Sequence, residues 1–250
     1  MIKKFFEFAQ FSQSQFEPIK SFYLQDELNL KVWKNFVLDA DLREDLLQIA
    51  EDYIDYLDLE DIEIEDIVLT GSLANYNWSK YSDFDIHLIF DFSQINEDID
   101  LVQKYLDAKE KTWKLQHDLK LMGFDVELFC ENTNSEGIST GVYSLMNDEW
   151  IKKPSKSNFI PDEEKIREKA SKFMREIKEI ESELESDEDL EELSDRISKV
   201  WKKIKDGRKA GLAKEGEYSI ENLVFKLLRR NGYIQRIIDA KREAYDKRFK

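Results

Sequence analysis

Two aspartates separated by one residue, Asp83-Phe84-Asp85, follow a Gly71-Ser72 pair with ten residues between them. Side chains of an extended strand alternate between faces. Asp83 and Asp85 therefore project together, about 7 Å apart along the backbone, while Phe84 and Ile86 pack on the other side. A like-charged pair at that spacing is costly unless a cation neutralises it, and Mg²⁺, which takes carboxylate oxygens together with substrate phosphates, is the natural ligand. A third acid would complete a two-metal site. The later run Phe124-Asp125-Val126-Glu127-Leu128 offers two candidates, Asp125 and Glu127, on a shared face. Gly71 allows close approach of the backbone to a phosphate, and Ser72 supplies both an N–H and a hydroxyl, so the turn can hold a triphosphate against the metals. The chemistry such a set performs is phosphoryl transfer, with one ion lowering the pKa of an attacking hydroxyl and the other stabilising charge on a departing pyrophosphate. Either short pattern alone is common in loops; the ordered combination carries the weight.

These residues need elements to hold them. Apolar residues at helical spacing over 39–57 (Leu42, Leu46, Tyr53, Leu57) predict an amphipathic helix. The β-branched runs at 62–64 and 66–70 then predict a strand ending at Gly71-Ser72, and the alternation over 84–90 predicts a second strand. A helical pattern over 97–121 and Gly123 lead into a third strand over 124–130. Helix, strand, turn, strand, helix, strand is an α+β or α/β arrangement, a small mixed β-sheet core with flanking helices. After Pro154 and Pro161 the chain reads as almost wholly helical, over 162–185 and 190–204, with Asp187 as a candidate cap for the second run. Expected boundaries are an aromatic arm over 1–35 (Phe5, Phe6, Phe8, Phe11, Phe16, Tyr23), a core over 36–155 and a helical region over 156–250.

Composition narrows the setting. The chain has 250 residues, 54 Asp plus Glu against 38 Lys plus Arg, and a net charge of −16. Its 41% hydrophobic content excludes a disordered chain. One cysteine, Cys130, excludes an internal disulfide, and with only His87 and His117 beside it a structural zinc site is excluded as well. No run of about 18 apolar residues is present to span a bilayer. The opening MIKKFFEFAQ is broken by Glu7 and Gln10 before a signal-peptide core develops, so a cytoplasmic location is expected, with the Asn77-Trp78-Ser79 sequon unmodified. The acidic block SELESDEDLEEL reads as a solvated helix end. Charge then reverses: residues 201–250 carry 15 Lys plus Arg against 7 Asp plus Glu, a local +8, while residues 1–200 sum to −24. Arg208, Lys209, Arg229, Arg230 and Arg236 in this basic part can guide a polyanion or pair with the acidic remainder.

The pattern Gly71-Ser72, Asp83-Phe84-Asp85 and Val126-Glu127-Leu128 resembles the DNA polymerase beta-type nucleotidyltransferase superfamily, whose members carry a Gly-Ser turn, an Asp-x-Asp strand and a third acid on a later strand. The fuller strings LTGSLANYNWSKYSDFDIHLIFDF, GFDVELFCEN and STGVYSLMNDEWIKKP are similar to uncharacterised predicted nucleotidyltransferases of phages, over about residues 30–240. The resemblance implies a nucleotidyltransferase core and catalytic metal binding by Asp83, Asp85 and Glu127, with Asp125 as second choice. It further implies triphosphate binding by Gly71 and Ser72, two Mg²⁺ or Mn²⁺ ions, and a nucleoside triphosphate substrate. A nucleoside monophosphate would pass to an acceptor hydroxyl with release of pyrophosphate, in a bacterial host cytoplasm if the chain is phage-encoded. The basic end favours an RNA or DNA end, or another nucleotide, as acceptor. Transfer to a protein or small molecule, and a noncatalytic nucleotide-binding module on the same fold, are the alternatives. Weaker candidates are Lys80 for a phosphate, near Trp78 and Tyr81, and Ser139, Thr140, Gly141 and Tyr143 for a ribose or base. His87, on the face of the two aspartates, reads better as a histidine satisfied at the sheet edge.

Overall fold

The computed structural model describes residues 12–59, 61–133, 135, 139–185 and 190–249. They fall into two compact units, one within 24–158 and one combining the N-terminal residues up to 23 with 159–250. Residues 24–35, read from sequence with the arm, thus belong to the sheet unit.

The sheet unit opens on a hairpin of β1 (Trp33–Lys34) and β2 (Val37–Leu38), whose linking residues Asn35 and Phe36 have φ of 54° and 65°. Two consecutive positive φ values are the backbone of a type I′ turn. The helix α1 (Ala40–Leu57) starts where Asp39 accepts the Leu42 N–H, and it buries Leu42, Leu46, Ala50, Tyr53 and Leu57 as one stripe. β3 (Asp66–Thr70), β4 (Asp83–Phe90), α2 (Ile99–Gln116), β5 (Lys120–Leu121), β6 (Phe124–Asn132), β7 (Val142–Ser144) and β8 (Glu149–Lys152) follow. Among the described residues six of these strands form one mixed sheet in the order β5-β6-β4-β3-β7-β8. β4 and β6 run parallel, joined through α2, and the other pairs are antiparallel. Phe84, Ile86, Leu88 and Phe90 are fully buried on one face of β4, each contributing about 1.5–3 kcal/mol of burial. That burial fixes the register, because a slip of one residue would turn these four outward and the aspartates inward.

The strand expected at 62–64 does not form. There the Glu63 N–H donates to the Gln94 side chain at 2.9 Å, and sheet pairing starts later, with the Glu65 N–H on the Ile89 carbonyl at 2.8 Å. β-branched residues extend only where a partner strand reaches, and β4 ends at Phe90.

In the helical unit a 3-10 helix, Gln13–Phe22, supplies Phe16, Ile19 and Phe22 to a core shared with α3 (Glu163–Glu185), α4 (Leu190–Glu215), α5 (Ile220–Arg230) and α6 (Tyr233–Lys247). Phe16 packs under the Arg167 guanidinium, and the Tyr23 hydroxyl donates to Glu163 at 3.0 Å. α4 runs on past residue 204, where the sequence pattern faded, as far as Glu215. The other aromatic residues of the arm (Phe5, Phe6, Phe8, Phe11) and the candidate cap Asp187 lie outside the described residues. Among the described residues no helix is long and apolar enough to cross a membrane.

Candidate metal centre

Asp83, Asp85 and Glu127 come together on the solvent-facing side of the central strands. One carboxylate oxygen from each lies within 4.8 Å of the other two. The register explains the convergence, because parallel pairing sets Asp85 opposite Glu127 and Asp83 opposite Asp125. All four acids share a face, yet they are not equivalent. Asp125 has a side chain 61% exposed and holds Lys120 at 2.5 Å across the β5-β6 hairpin, whereas Glu127 is only 24% exposed and belongs to the cluster. Of the two acids left open by the sequence, Glu127 is the one that converges. The Lys114 amine, arriving from α2, forms an ion pair with it. Three carboxylate oxygens at this separation match a hard divalent cation, which bonds such oxygens at about 2.0–2.6 Å.

The Gly-Ser turn closes the other side of the cluster. Thr70 pairs with Asp85 in the sheet, and Gly71 follows with φ of 73°. A Cβ on Gly71 would lie 1.7 Å from the Asp85 Oδ2. The glycine is required twice, by its left-handed backbone and by the carboxylate lying against its Cα. The Ser72 and Ser82 hydroxyls are 2.7 Å apart, and the Ser82 oxygen also accepts the Ser79 N–H at 2.9 Å. The turn is thereby tied to the residue that precedes Asp83. Deeper in the loop the buried Leu73 carbonyl accepts the Trp33 indole N–H at 2.7 Å, and the Asn75 N–H donates to the Ser72 carbonyl at 3.1 Å. The sequence pattern did not single out Ser82, Ser79, Asn75 or Lys114. Ser82 was within reach as the residue abutting the Asp-x-Asp pattern, whereas Lys114 carries no signal in its spacing.

The remaining candidates separate. The 139–141 segment packs against the turn: Asn75 donates to Thr140, the Thr70 hydroxyl donates to the Gly141 carbonyl at 3.2 Å, and a Cβ on Gly141 would meet the Ala74 carbonyl oxygen at 2.1 Å. Its role is to brace the loop. Tyr143 is not brought to the acids. It pairs with Leu69, which pairs with Ile86, so its ring lies on the opposite face of the sheet from Asp85. There it is 2% exposed, edge-on to Trp33 and Trp150, with its hydroxyl donating to Asp148 at 2.7 Å. Burial, and then the Asp148 carboxylate, raise its pKa. The alternation that placed Asp83 and Asp85 together excludes Tyr143 from their face. Lys80 sits exposed on the loop before β4, 5.1 Å over the Tyr81 ring.

Farther along β4, His87 Nδ1 is 2.9 Å from Glu131 on β6. Burial pulls the His87 pKa below its ordinary value, and Glu131 opposes that shift. Burial, followed by Asp107, raises the Glu110 pKa on α2. Cys130 is pushed up to about 12, chiefly by burial, and is no nucleophile near neutral pH.

In comparison with known proteins, no family model, no curated protein and no solved structure matches the chain.

Proposed function

We propose that the protein is a metal-dependent nucleotidyltransferase of the DNA polymerase beta type, moving a nucleoside monophosphate from a nucleoside triphosphate to an acceptor hydroxyl and releasing pyrophosphate. One observation carries the reading: three carboxylates from two adjacent parallel strands converge within 4.8 Å, with a left-handed Gly71 turn lying against one of them. A module that only binds nucleotide has no need of three converging acids. Asp83, Asp85 and Glu127 are the residues that would hold Mg²⁺ or Mn²⁺. Divalent ions bound there supply a lowered pKa at the attacking hydroxyl and compensation for charge on the departing pyrophosphate.

The chain's own groups do the positioning. The Gly71-Ser72 turn lies against Asp85, and its backbone N–H groups suit phosphate oxygens. The bonds from Ser82, Trp33 and Asn75 hold that turn before substrate arrives, so little ordering remains for binding to accomplish.

Pyrophosphate release from each NTP and dNTP, with Mg²⁺ or Mn²⁺ and with or without short RNA and DNA acceptors, tests the reading. Release by the wild type that disappears in Asp83→Asn/Asp85→Asn is the expected outcome. Nucleotide binding without release under any of these conditions would move the reading to a noncatalytic module.

A further inference from the structure

Several cations of the helical unit are paired with carboxylates. Arg167 meets Glu163 at 2.9 Å, Lys169 meets Glu221 at 2.5 Å, Arg196 meets Glu183 at 2.5 Å and Glu179 at 3.0 Å, and Arg236 donates to Glu181 at 2.6 Å. For Arg236 the charge-pairing alternative therefore holds. Around α5 three cations gather on one face. Asn222, Lys226 and Arg229 stand at i, i+4 and i+7, on one face of that helix. Arg208 of α4 lies over the first turn of the same face, its Nε donating to the Asn222 Oδ1 at 3.2 Å and its guanidinium 4.1 Å above the Phe225 ring. Among the described residues none of Arg208, Lys226 and Arg229 makes an ion pair, in a chain whose carboxylates outnumber its cations by 16. Arg230 adjoins them, anchored by a 2.5 Å bond to the Ser21 hydroxyl and by the Phe22 ring.

The cations feel one another. Burial lowers the Lys226 pKa and Glu217 opposes the shift, but Arg230, Arg229 and Arg208 add to it; burial and then Arg229 likewise lower that of Arg208. The attraction of basic residues to the C-terminus of a helix accounts for Arg229 and Arg230 in the last turn of α5. It does not account for Arg208, on another helix, or for a lysine largely removed from water one turn earlier. Beside the cluster runs a groove of about 270 Å³, floored by Phe173, Ile204, Val224 and Phe225, with Arg208 on its wall.

We propose that this face of α4 and α5 binds single-stranded nucleic acid, its phosphates on Arg208, Lys226 and Arg229 and a base in the adjoining aromatic groove. Cations set on one face by two helices suit the regular phosphates of a strand better than the scattered carboxylates of an acidic peptide, and guanidinium groups bind phosphate oxygens in pairs. A neighbouring apolar, aromatic surface is the usual companion of such contacts in single-strand binding. In a chain of net charge −16, a local group of cations favours contact there over the acidic remainder. The use of the bound strand as the acceptor of nucleotidyl transfer rests on the function proposed above; the binding itself does not.

The test is fluorescence anisotropy of the full chain with labelled single-stranded RNA and DNA of one sequence, in EDTA, over a range of salt. The expected result is binding whose log–log salt slope is about −2, as for roughly three phosphate contacts on a single strand. Lys226→Met and the exposed Arg229→Glu should each weaken it by roughly tenfold, and Lys226→Met should also flatten the slope by about 0.7. Both variants are checked for an intact thermal transition. RNA and DNA arms of equal strength assign recognition to the phosphates, and a stronger RNA arm adds the 2′-hydroxyl; either supports the site. Unchanged affinity in two folded variants overturns it, as does a lack of binding at low salt. Displacement by polyglutamate as effective as by unlabelled oligonucleotide would overturn it in favour of an acidic protein partner. Asp83→Asn/Asp85→Asn should bind the oligonucleotide like the wild type, and a wild type that binds oligonucleotide but releases no pyrophosphate would fail only the nucleotidyl-transfer reading.

Discussion

At the scale of single residues the candidate metal centre depends on what is missing from Gly71 and on what reaches Glu127. Gly71→Ala places a methyl group where the Asp85 carboxylate lies and asks an alanine to hold φ of 73°. The expected outcome is a loss of about 1–2 kcal/mol in urea unfolding together with at least about tenfold weaker Mn²⁺ binding, read by electron paramagnetic resonance. A variant that loses stability but binds Mn²⁺ like the wild type would detach the glycine from the acids. Lys114 acts in the opposite sense. Its amine already neutralises Glu127, so an arriving cation must displace it. The Lys114 end of the pair is exposed to water and the pair is worth about 1 kcal/mol at most, hence Lys114→Ala should tighten metal binding, up to about fivefold by isothermal titration calorimetry. Weaker binding in that variant would instead show Lys114 helping to shape the site. The two residues differ in legibility. A glycine before a strand-to-turn serine is visible in the sequence, whereas the reach of Lys114 from α2 to Glu127 depends on how the helix crosses the sheet.

At the scale of elements, β4 was readable because burial and exposure alternate along its whole length, and α1 because its stripe repeats over 18 residues. β7 and β8, of three and four residues, are too short for any period to register. The hairpin turns escaped for another reason: their left-handed positions are filled by Asn35, Phe36 and Met122 as well as Gly123, and neither Phe nor Met announces a positive φ. Alternation made Asp83 and Asp85 legible as a pair, whereas it left Asp125 and Glu127 on one face, and Tyr143, in a strand not anticipated, read as part of a loop. α5 adds a conflict between stability and charge. The Lys226 pKa is lowered from 10.5, first by burial. Below the lowered pKa both the folded and unfolded chains carry the proton, and the folded state bears the full penalty. As pH rises from that value to 10.5 the unfolded chain binds more protons, so the penalty lifts. Lys226→Met should therefore raise stability by about 1 kcal/mol at pH 7, and its advantage over the wild type should shrink as pH rises toward 10.5. Denaturant titrations at a series of pH values measure this, and a destabilised variant at pH 7 would show the lysine to be structurally required. A gain in stability at the cost of oligonucleotide binding is the pattern of a residue kept for function.

At the scale of the whole molecule, two units with separate cores carry two separate chemistries. The sheet unit's core runs from Leu28 to Leu145 and backs the acidic centre, and the helical unit's core joins Phe16, Ile19 and Phe22 to α3–α6 behind the basic face. Two cores allow two unfolding transitions in place of one. A ligand that binds only the folded form of one unit stabilises that unit by mass action, about 1.4 kcal/mol at tenfold its dissociation constant, a shift of several degrees for units of this size. Differential scanning calorimetry with Mn²⁺ should move one transition alone, and Asp83→Asn/Asp85→Asn should abolish that movement while leaving the other transition in place. Single-stranded oligonucleotide in EDTA should move the transition that Mn²⁺ leaves behind, and this second effect should fade with salt because it depends on counterion release, whereas the buried hydrophobic contacts of both cores do not. One transition shifted by both ligands would mean that the units unfold as a single cooperative body. In that case the acidic centre and the basic face would be linked in stability, and the effect of each ligand would have to be measured in the presence of the other.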